Sequence, residues 1–239
     1  MQKQWTLLML LCCIASLSAQ ERDIPKERFN WGFRVGVNAP FVDIRSAKIN
    51  DTPIELPSAN SKIGFLASAF GRVNIQQHYL QLEAGINYLR SDIELQPEDF
   101  IPTLQPSNIK SSIINRIYTL DIPLLYGYNF VKQGPYELAF FTGPKFKYIL
   151  KENNHIDNYD IRYAITTDES LKPFTVNYLI GVGVSISRLT LDFRYEFALT
   201  NIHSSGGYTL NSPDVAPTSN KLSIKRGINL LSFSLGFVL

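Results

Sequence analysis

Charged side chains recur at alternate positions within otherwise apolar stretches of this sequence. Successive side chains of a β-strand point to opposite faces, so the charged residues share one face and the apolar residues share the other. Charges enclosed on one face are expected to pair, because a buried charge without a partner is costly. Five cations and five anions make up this predicted interior network, so its charge should balance: Arg34, Arg72, Glu83, Asp121, Glu137, Lys145, Lys147, Asp192, Arg194 and Glu196.

Catalysis requires a nucleophile or a metal near a tuned base, and this sequence offers few candidates. Its three histidines are His78, in a predicted short turn, and His155 and His203, in two separate long connections. Lone histidines without a spaced partner are weak evidence for catalysis, and neither metal-ligand spacing nor a glycine-rich phosphate loop is present. We therefore predict no catalytic residues, no metal and no cofactor.

The first nineteen residues are typical of a secretory signal peptide. Lys3 supplies the positive charge, 7–17 is an apolar run too short to be a permanent membrane anchor, and small residues follow at the predicted cleavage point near Ala19. Both cysteines, Cys12 and Cys13, lie in that run, so the mature chain would have no disulfide, Cys-ligated zinc or thiol nucleophile. A short segment, 20–30, would then precede one domain, 31–239.

Period-two alternation is the main structural signal of that domain. In 189–200 every odd-numbered residue is apolar or aromatic, from Leu189 to Leu199. The even positions include Asp192, Arg194 and Glu196. The same pattern predicts seven more strands: 31–42, 63–73, 79–89, 118–130, 138–150, 176–186 and 227–239.

The connections between these strands alternate between short and long. Long polar connections, rich in Asn, Asp, Ser and Pro, are predicted at 43–62, 90–116, 151–173 and 201–226, whereas only a few residues join the other strands. A soluble β-sandwich would also show alternating residues, but strict short-long connection is typical of bacterial outer-membrane barrels, with turns on the periplasmic side and loops outside. The sequence therefore predicts an all-β protein, an eight-stranded antiparallel transmembrane β-barrel.

Composition agrees with a lipid-facing barrel and excludes some partners. Charged residues are 18% of the chain, below the roughly 25% of an average soluble domain, and aromatic residues reach 12%. A net charge of +2 with scattered Lys and Arg argues against nucleic acid. We predict residence in the outer membrane. Because an eight-stranded barrel is just wide enough to be filled by side chains, we favour a filled interior over a channel.

The second long connection contains apolar residues that suggest a contact. They could pack against a protein partner or merely order the loop itself, and the sequence supports both interpretations equally. The residues are Phe100, Ile101, Leu104, Ile109, Ile113 and Ile114.

Several segments resemble the PorT-type outer-membrane β-barrel family of the Bacteroidota. They include GFRVGVN near the first strand, LDIPLLYGYNF, FFTGPKFKY, LIGVGVSI, FRYEFALTNI and the terminal SFSLGF, with the steps at Asp121–Pro123 and Thr200–Ile202 the most distinctive. The resemblance implies an eight-stranded barrel in the outer membrane without known catalytic residues. It also implies an accessory role in type IX secretion, the role of the family's namesake.

Three functional hypotheses follow. The first is a non-catalytic barrel that contacts other envelope proteins through its loops or turns, as part of a secretion or assembly machine. The second is a small passive pore or a surface ligand-binding or adhesion barrel. The third is a lipid-A-modifying enzyme that uses His155 or His203.

Overall fold

The computed structural model describes residues 28–49, 52–53, 58–95, 111–158, 164–167, 170–171, 173–212 and 215–239. These residues form twelve strands, joined in one antiparallel sheet. The strands are β1 (Phe29–Ile49), β2 (Thr52–Pro53), β3 (Ser58–Ile75), β4 (His78–Leu95), β5 (Ser111–Gln133), β6 (Tyr136–Asn158), β7 (Ala164–Thr167), β8 (Ser170–Leu171), β9 (Phe174–Ile186), β10 (Leu189–Ala198), β11 (Ile202–Ser212) and β12 (Val215–Val238). In the described ranges, no helix has the length and apolar character needed to cross a membrane.

Eight long strands close into a barrel in the order β1-β3-β4-β5-β6-β9-β10-β12. Closure comes from β1 and β12, which pair from Gly32 with Val238 to Ile49 with Leu222. Pairing the first strand with the last leaves no open edge, which a lipid bilayer could not hydrogen-bond. The predicted eight-stranded antiparallel barrel is confirmed, and each of the eight predicted strands corresponds to one of these.

Three two-residue turns, at 76–77, 134–135 and 187–188, join strands at one end of the barrel. The first residue of each has positive φ: Gln76 at 56°, Gly134 at 54° and Ser187 at 57°. Primed turns of this kind match the twist of the flanking strands. We call this end the turn end and the opposite end the loop end; in barrels of this architecture the turn end faces the periplasm.

Several predicted loops are in part strands, which corrects the predicted loop boundaries. β5 and β6 remain paired as far as Ser111 and Asn158, and β1 and β12 as far as Ile49 and Leu222. β11 pairs with β12 throughout the predicted last loop. Backbone hydrogen bonds continue past the membrane band, where the strict alternation that marks the strands is lost from the sequence, as in SSIINR of β5.

Residues 199–201 separate β10 from β11, which both pair with β12, and Arg45 of β1 contacts this non-strand segment. The β1–β12 register shifts at this residue, between Ile44 and Ser46. The Arg45 guanidinium reaches across β12 at Gly227, donating to Asn201 Oδ1 over 2.7 Å and to the Ala198 carbonyl over 3.2 Å. A Cβ on Gly227 would lie 3.3 Å from Arg45 Nη2, so the glycine leaves space for this crossing.

An apolar band surrounds the outer face of the barrel. Large apolar side chains in it are about half exposed, as with Leu82 at 56% and Phe193 at 49%. On β5 the band lies between Tyr118 and Tyr128, which are ten residues apart. At about 3.4 Å per residue and a tilt of about 40°, they are separated by ~26 Å along the barrel axis, close to the ~25 Å apolar band of outer-membrane barrels.

Candidate functional site

The barrel interior brings together eight of the ten predicted network residues. They come from β1, β4, β5, β6 and β10, and each is at most 5% exposed. The strict alternation of the strands places them inside while their neighbours face lipid, as in the burial pattern eBeBeBiBeB of β10. The eight form two clusters, each with two cations and two carboxylates.

The first, the arginine cluster, contains Arg34, Arg194, Glu83 and Asp192. Arg34 places one Nη 2.6 Å from Glu83 and the other 2.6 Å from Asp192. Arg194 donates to both Glu83 oxygens, over 2.8 and 2.9 Å, and lies 3.3 Å from Asp192. Planar guanidinium groups suit such two-fold contacts with carboxylates, which hold four buried charges in one geometry.

The second, the lysine cluster, contains Lys145, Lys147, Asp121 and Glu196. Lys145 Nζ lies 2.6 Å from Asp121 and also contacts Glu196, whose other oxygen lies 2.8 Å from Lys147. Neutral groups satisfy the remaining carboxylate oxygens: Thr119 and the Asn87 amide donate to Asp121. Both clusters are therefore paired ion networks rather than sites with an unused reactive group.

The remaining two predicted residues, Arg72 and Glu137, lie outside the clusters. Arg72 Nε donates to Gln81 over 2.6 Å, and its guanidinium stacks 4.1 Å from the Tyr79 ring centroid. Glu137 is only half-buried, at the turn end, opposite Lys132. The prediction also missed Arg226, which is 2% exposed. Among the described residues the buried charges are therefore six cations and four carboxylates, whereas the predicted set has five of each.

Apolar layers lie on both sides of the charged layer, and the prediction overlooked them. A turn-end layer consists of Tyr79, Leu125, Ala139, Phe141 and Leu179. A loop-end layer consists of Leu89, Ile117, Ile228 and Leu230, with Ile149 packed against it. These residues occupy inward positions of the predicted alternation, so reading every inward position, rather than only the polar ones, would have found them.

Phe141 also explains an inward glycine. A Cβ on Gly181 would overlap the ring of Phe141. The glycine thus accommodates the turn-end layer.

Two cavities inside the barrel are small. One of about 20 Å³ lies between the two ion clusters, lined by residues that include Glu83, Lys145 and Arg194. Another, of about 10 Å³, lies in the loop-end layer beside Ile117 and Ile228. Such volumes hold about one water molecule each. The described interior is therefore packed with side chains.

The predicted partner-contact residues are only partly within the described structure. Phe100, Ile101, Leu104 and Ile109 lie outside the described residues. Ile113 and Ile114 belong to β5 rather than to a free loop, and Ile113 is paired with Ile93 and Ile156. The extended strand pairing described above explains this correction.

The three histidines lie on three different strands. His78 begins β4, and its Nδ1 lies 2.6 Å from the Tyr126 hydroxyl at the turn end. His155 pairs with Ile114 in β6, and His203 pairs with Lys225 in β11. No group of three or more metal-ligating side chains occurs in the described part of the chain.

A closed antiparallel barrel with an apolar outer band, aromatic residues at its edges and a filled, ion-paired interior defines the class of small outer-membrane β-barrels. The chain belongs to the outer membrane protein beta-barrel domain family, whose model matches residues 18–204. It is thus an outer-membrane protein, as the sequence predicts. The predicted signal peptide lies outside the described residues.

Solved structures with the same architecture include OprG from Pseudomonas aeruginosa. It aligns with 88% of this chain and 95% of its own, at a TM-score of 0.56 and 9% identity, which supports the fold alone. Ail, the attachment invasion locus protein of Yersinia pestis, covers 89% and 100% of the two chains at a TM-score of 0.31 and 9% identity. Neisserial surface protein A aligns with 86% of this chain and 96% of its own, at a TM-score of 0.30 and 12% identity. No curated protein gives a match.

Proposed function

We propose that this protein is a non-conducting, non-catalytic barrel that acts through protein contacts, as an accessory subunit of an envelope secretion or assembly machine. The observation that supports this proposal most directly is the filled interior. Two ion clusters and two apolar layers occupy it, and the two small cavities described above hold about one water molecule each. A barrel without a lumen has its outer surface, loops and turns left for function.

The strands that continue beyond the membrane supply a rigid surface for such contacts. β5 extends seven residues past Tyr118, to Ser111, and stays paired with β6 over that length. Paired strands lose less conformational entropy on binding than a free loop does, which favours stable recognition. The PorT-type resemblance supports type IX secretion as the particular machine.

Site-specific crosslinking in native membrane tests this proposal. A photo-reactive residue at Asn153, exposed on the extended part of β6, should give a discrete adduct with another envelope protein. The matched control is Leu82, which is also exposed but lies in the apolar band. A photo-reactive residue there should crosslink to lipid only. Recovery of nothing but uncrosslinked monomer from position 153, and from equivalent positions at the turns, would contradict an accessory role.

A surface ligand-binding or adhesion barrel is the second candidate, and the same projecting strands favour it. Binding of whole cells to a host or surface ligand, compared with cells whose chain lacks the projecting strand ends 111–116 and 153–158, separates it from the first candidate. Conductance in planar bilayers addresses the pore: a silent membrane is expected, and reproducible current steps would contradict the non-conducting proposal.

Unchanged lipid A profiles after His155→Ala and His203→Ala would eliminate the enzyme alternative.

A further inference from the structure

Three cations lie side by side on the outer face of the barrel, at the loop end. Lys62 on β3 is paired with Arg90 on β4, and Arg90 is paired with Arg116 on β5. Lys62 and Arg116 are exposed and Arg90 is half-buried. We call these three residues the cationic row. Lys151, exposed on β6, extends it opposite Tyr118.

The charges of this row are largely uncompensated by the protein. Like charges directly opposite one another in neighbouring strands are destabilising. Lys62 Nζ lies 3.5 Å from Asp92. Arg90 Nε is buried without a hydrogen-bond partner. An external anion bound at the row would therefore stabilise it.

The height of the row identifies where that anion would come from. Phe65, Tyr88 and Tyr118 are paired across the same three strands, and the rings of Tyr88 and Tyr118 are 5.0 Å apart. Aromatic rings of this kind lie at the level of lipid headgroups. Arg90 and Arg116 are two residues from these tyrosines on the loop side, about 7 Å along the strand, which is the level of headgroup phosphates.

The neighbouring strand β1 differs in charge at the corresponding position. On β1 the next outward residue beyond the aromatic Phe41 is Asp43, an exposed carboxylate. Arg45 nearby is engaged with Asn201 and the Ala198 carbonyl. The row of adjacent, mutually paired cations thus does not continue from β3 onto β1.

We propose that Lys62, Arg90 and Arg116, with Lys151 beside them, bind the phosphate of a phosphorylated lipid headgroup in the outer leaflet. The planar arginine groups match phosphate oxygens in pairs, and the lysines add point charges. Acyl chains of the same lipid lie against the apolar band below, beginning with the exposed Phe65. This proposal is independent of the secretion role.

Native mass spectrometry of the folded mature barrel in detergent tests the proposal, with diphosphorylated lipid A as the probe and dephosphorylated lipid A as its comparison. The wild type should retain the diphosphorylated form preferentially. The double variant R90Q/R116Q should weaken that binding about tenfold or more, because each cation near an anionic surface contributes about a factor of five. R90K/R116K should recover much of the affinity.

The matched control is R188Q/K225Q, which removes two exposed cations elsewhere on the barrel and should bind as the wild type does. Heat-dependent gel migration verifies that every variant is folded. Equal retention of the two lipid forms by the wild type, or equal loss in the patch and control variants, would overturn the proposal. So would complete displacement of the lipid by millimolar inorganic phosphate, since the site would then recognise a free anion.

Discussion

The two ion clusters inside the barrel contain the same number of charges but hold them differently. In the arginine cluster, each guanidinium contacts both carboxylates, and the cations also lie over aromatic rings: Arg34 is 5.1 Å from the Phe70 centroid and Arg194 is 5.1 Å from the Phe141 centroid. In the lysine cluster, the ammonium groups meet Glu196 and Asp121 as point charges, and Asn87 and Thr119 complete the hydrogen bonding. The comparison suggests that the arginine cluster depends on shape and the lysine cluster on charge alone.

Removal of the carboxylate at the centre of the arginine cluster should have the largest effect. Glu83→Ala leaves Arg34 and Arg194 buried with only Asp192 between them. We expect a loss of about 3–5 kcal/mol in the free energy of unfolding, measured by urea titration of the barrel in detergent micelles. Glu137→Ala is the control, since this half-buried carboxylate should contribute less than about 1 kcal/mol. Equal losses in the two variants would contradict the description of the cluster.

The corresponding change in the lysine cluster should be milder. Glu196→Ala removes the carboxylate shared by Lys145 and Lys147, but Lys145 keeps Asp121, and a flexible ammonium reorients more readily than a planar guanidinium. We expect about 2–3 kcal/mol by the same titration. A loss equal to or greater than that of Glu83→Ala would mean that the two clusters do not differ as proposed.

Exchange of the cation type tests the dependence on shape. Arg34→Lys keeps the charge but cannot place two nitrogens 2.6 Å from two carboxylates at once. We expect a loss of about 2 kcal/mol, because a buried charged hydrogen bond is lost. Arg188→Lys, in an exposed turn, should change stability by less than about 0.5 kcal/mol. A neutral result for Arg34→Lys would show that charge alone suffices.

The smallest expected effect concerns the contact between the arginine cluster and the turn-end layer. Phe141→Leu keeps most of the side-chain volume but removes the ring beneath Arg194. We expect a loss of about 1 kcal/mol, the usual contribution of a cation–π contact that is partly desolvated. Ile228→Leu, a volume-conserving change in the loop-end layer, should cost less. If the two variants were indistinguishable, the ring would serve only as packing volume.

The fold was predictable from the sequence because each membrane strand has one face in lipid and one face enclosed, so alternation fixes both the strand and its orientation. The parity of Asp192, Arg194 and Glu196 within β10 correctly placed them inside. What parity does not give is the partner across the barrel, since Arg194 and Glu83 are 111 residues apart and lie on opposite sides of the closed barrel. The clusters therefore required the three-dimensional register.

The boundaries of the strands were less predictable, for a physical reason. Beyond the aromatic rows both faces of a strand can be polar, and the sequence of β5 around Ser111 and Ser112 resembles a loop. Backbone pairing alone maintains the strand there, and backbone hydrogen bonding leaves no mark in residue type. The cationic row is similar: Lys62, Arg90 and Arg116 are distant in sequence, and only the register places them next to one another.

The bulged Arg45 has a consequence for the order in which the molecule assembles. Its two hydrogen bonds join β1 to Ala198 and Asn201, which lie between β10 and the final hairpin of β11 and β12. The bonds cross the β1–β12 seam where the barrel closes. These bonds form only once that seam is complete. The geometry of the last outer hairpin is thus coupled to closure, so that an unclosed intermediate in the membrane would not yet present the finished outer surface to a partner.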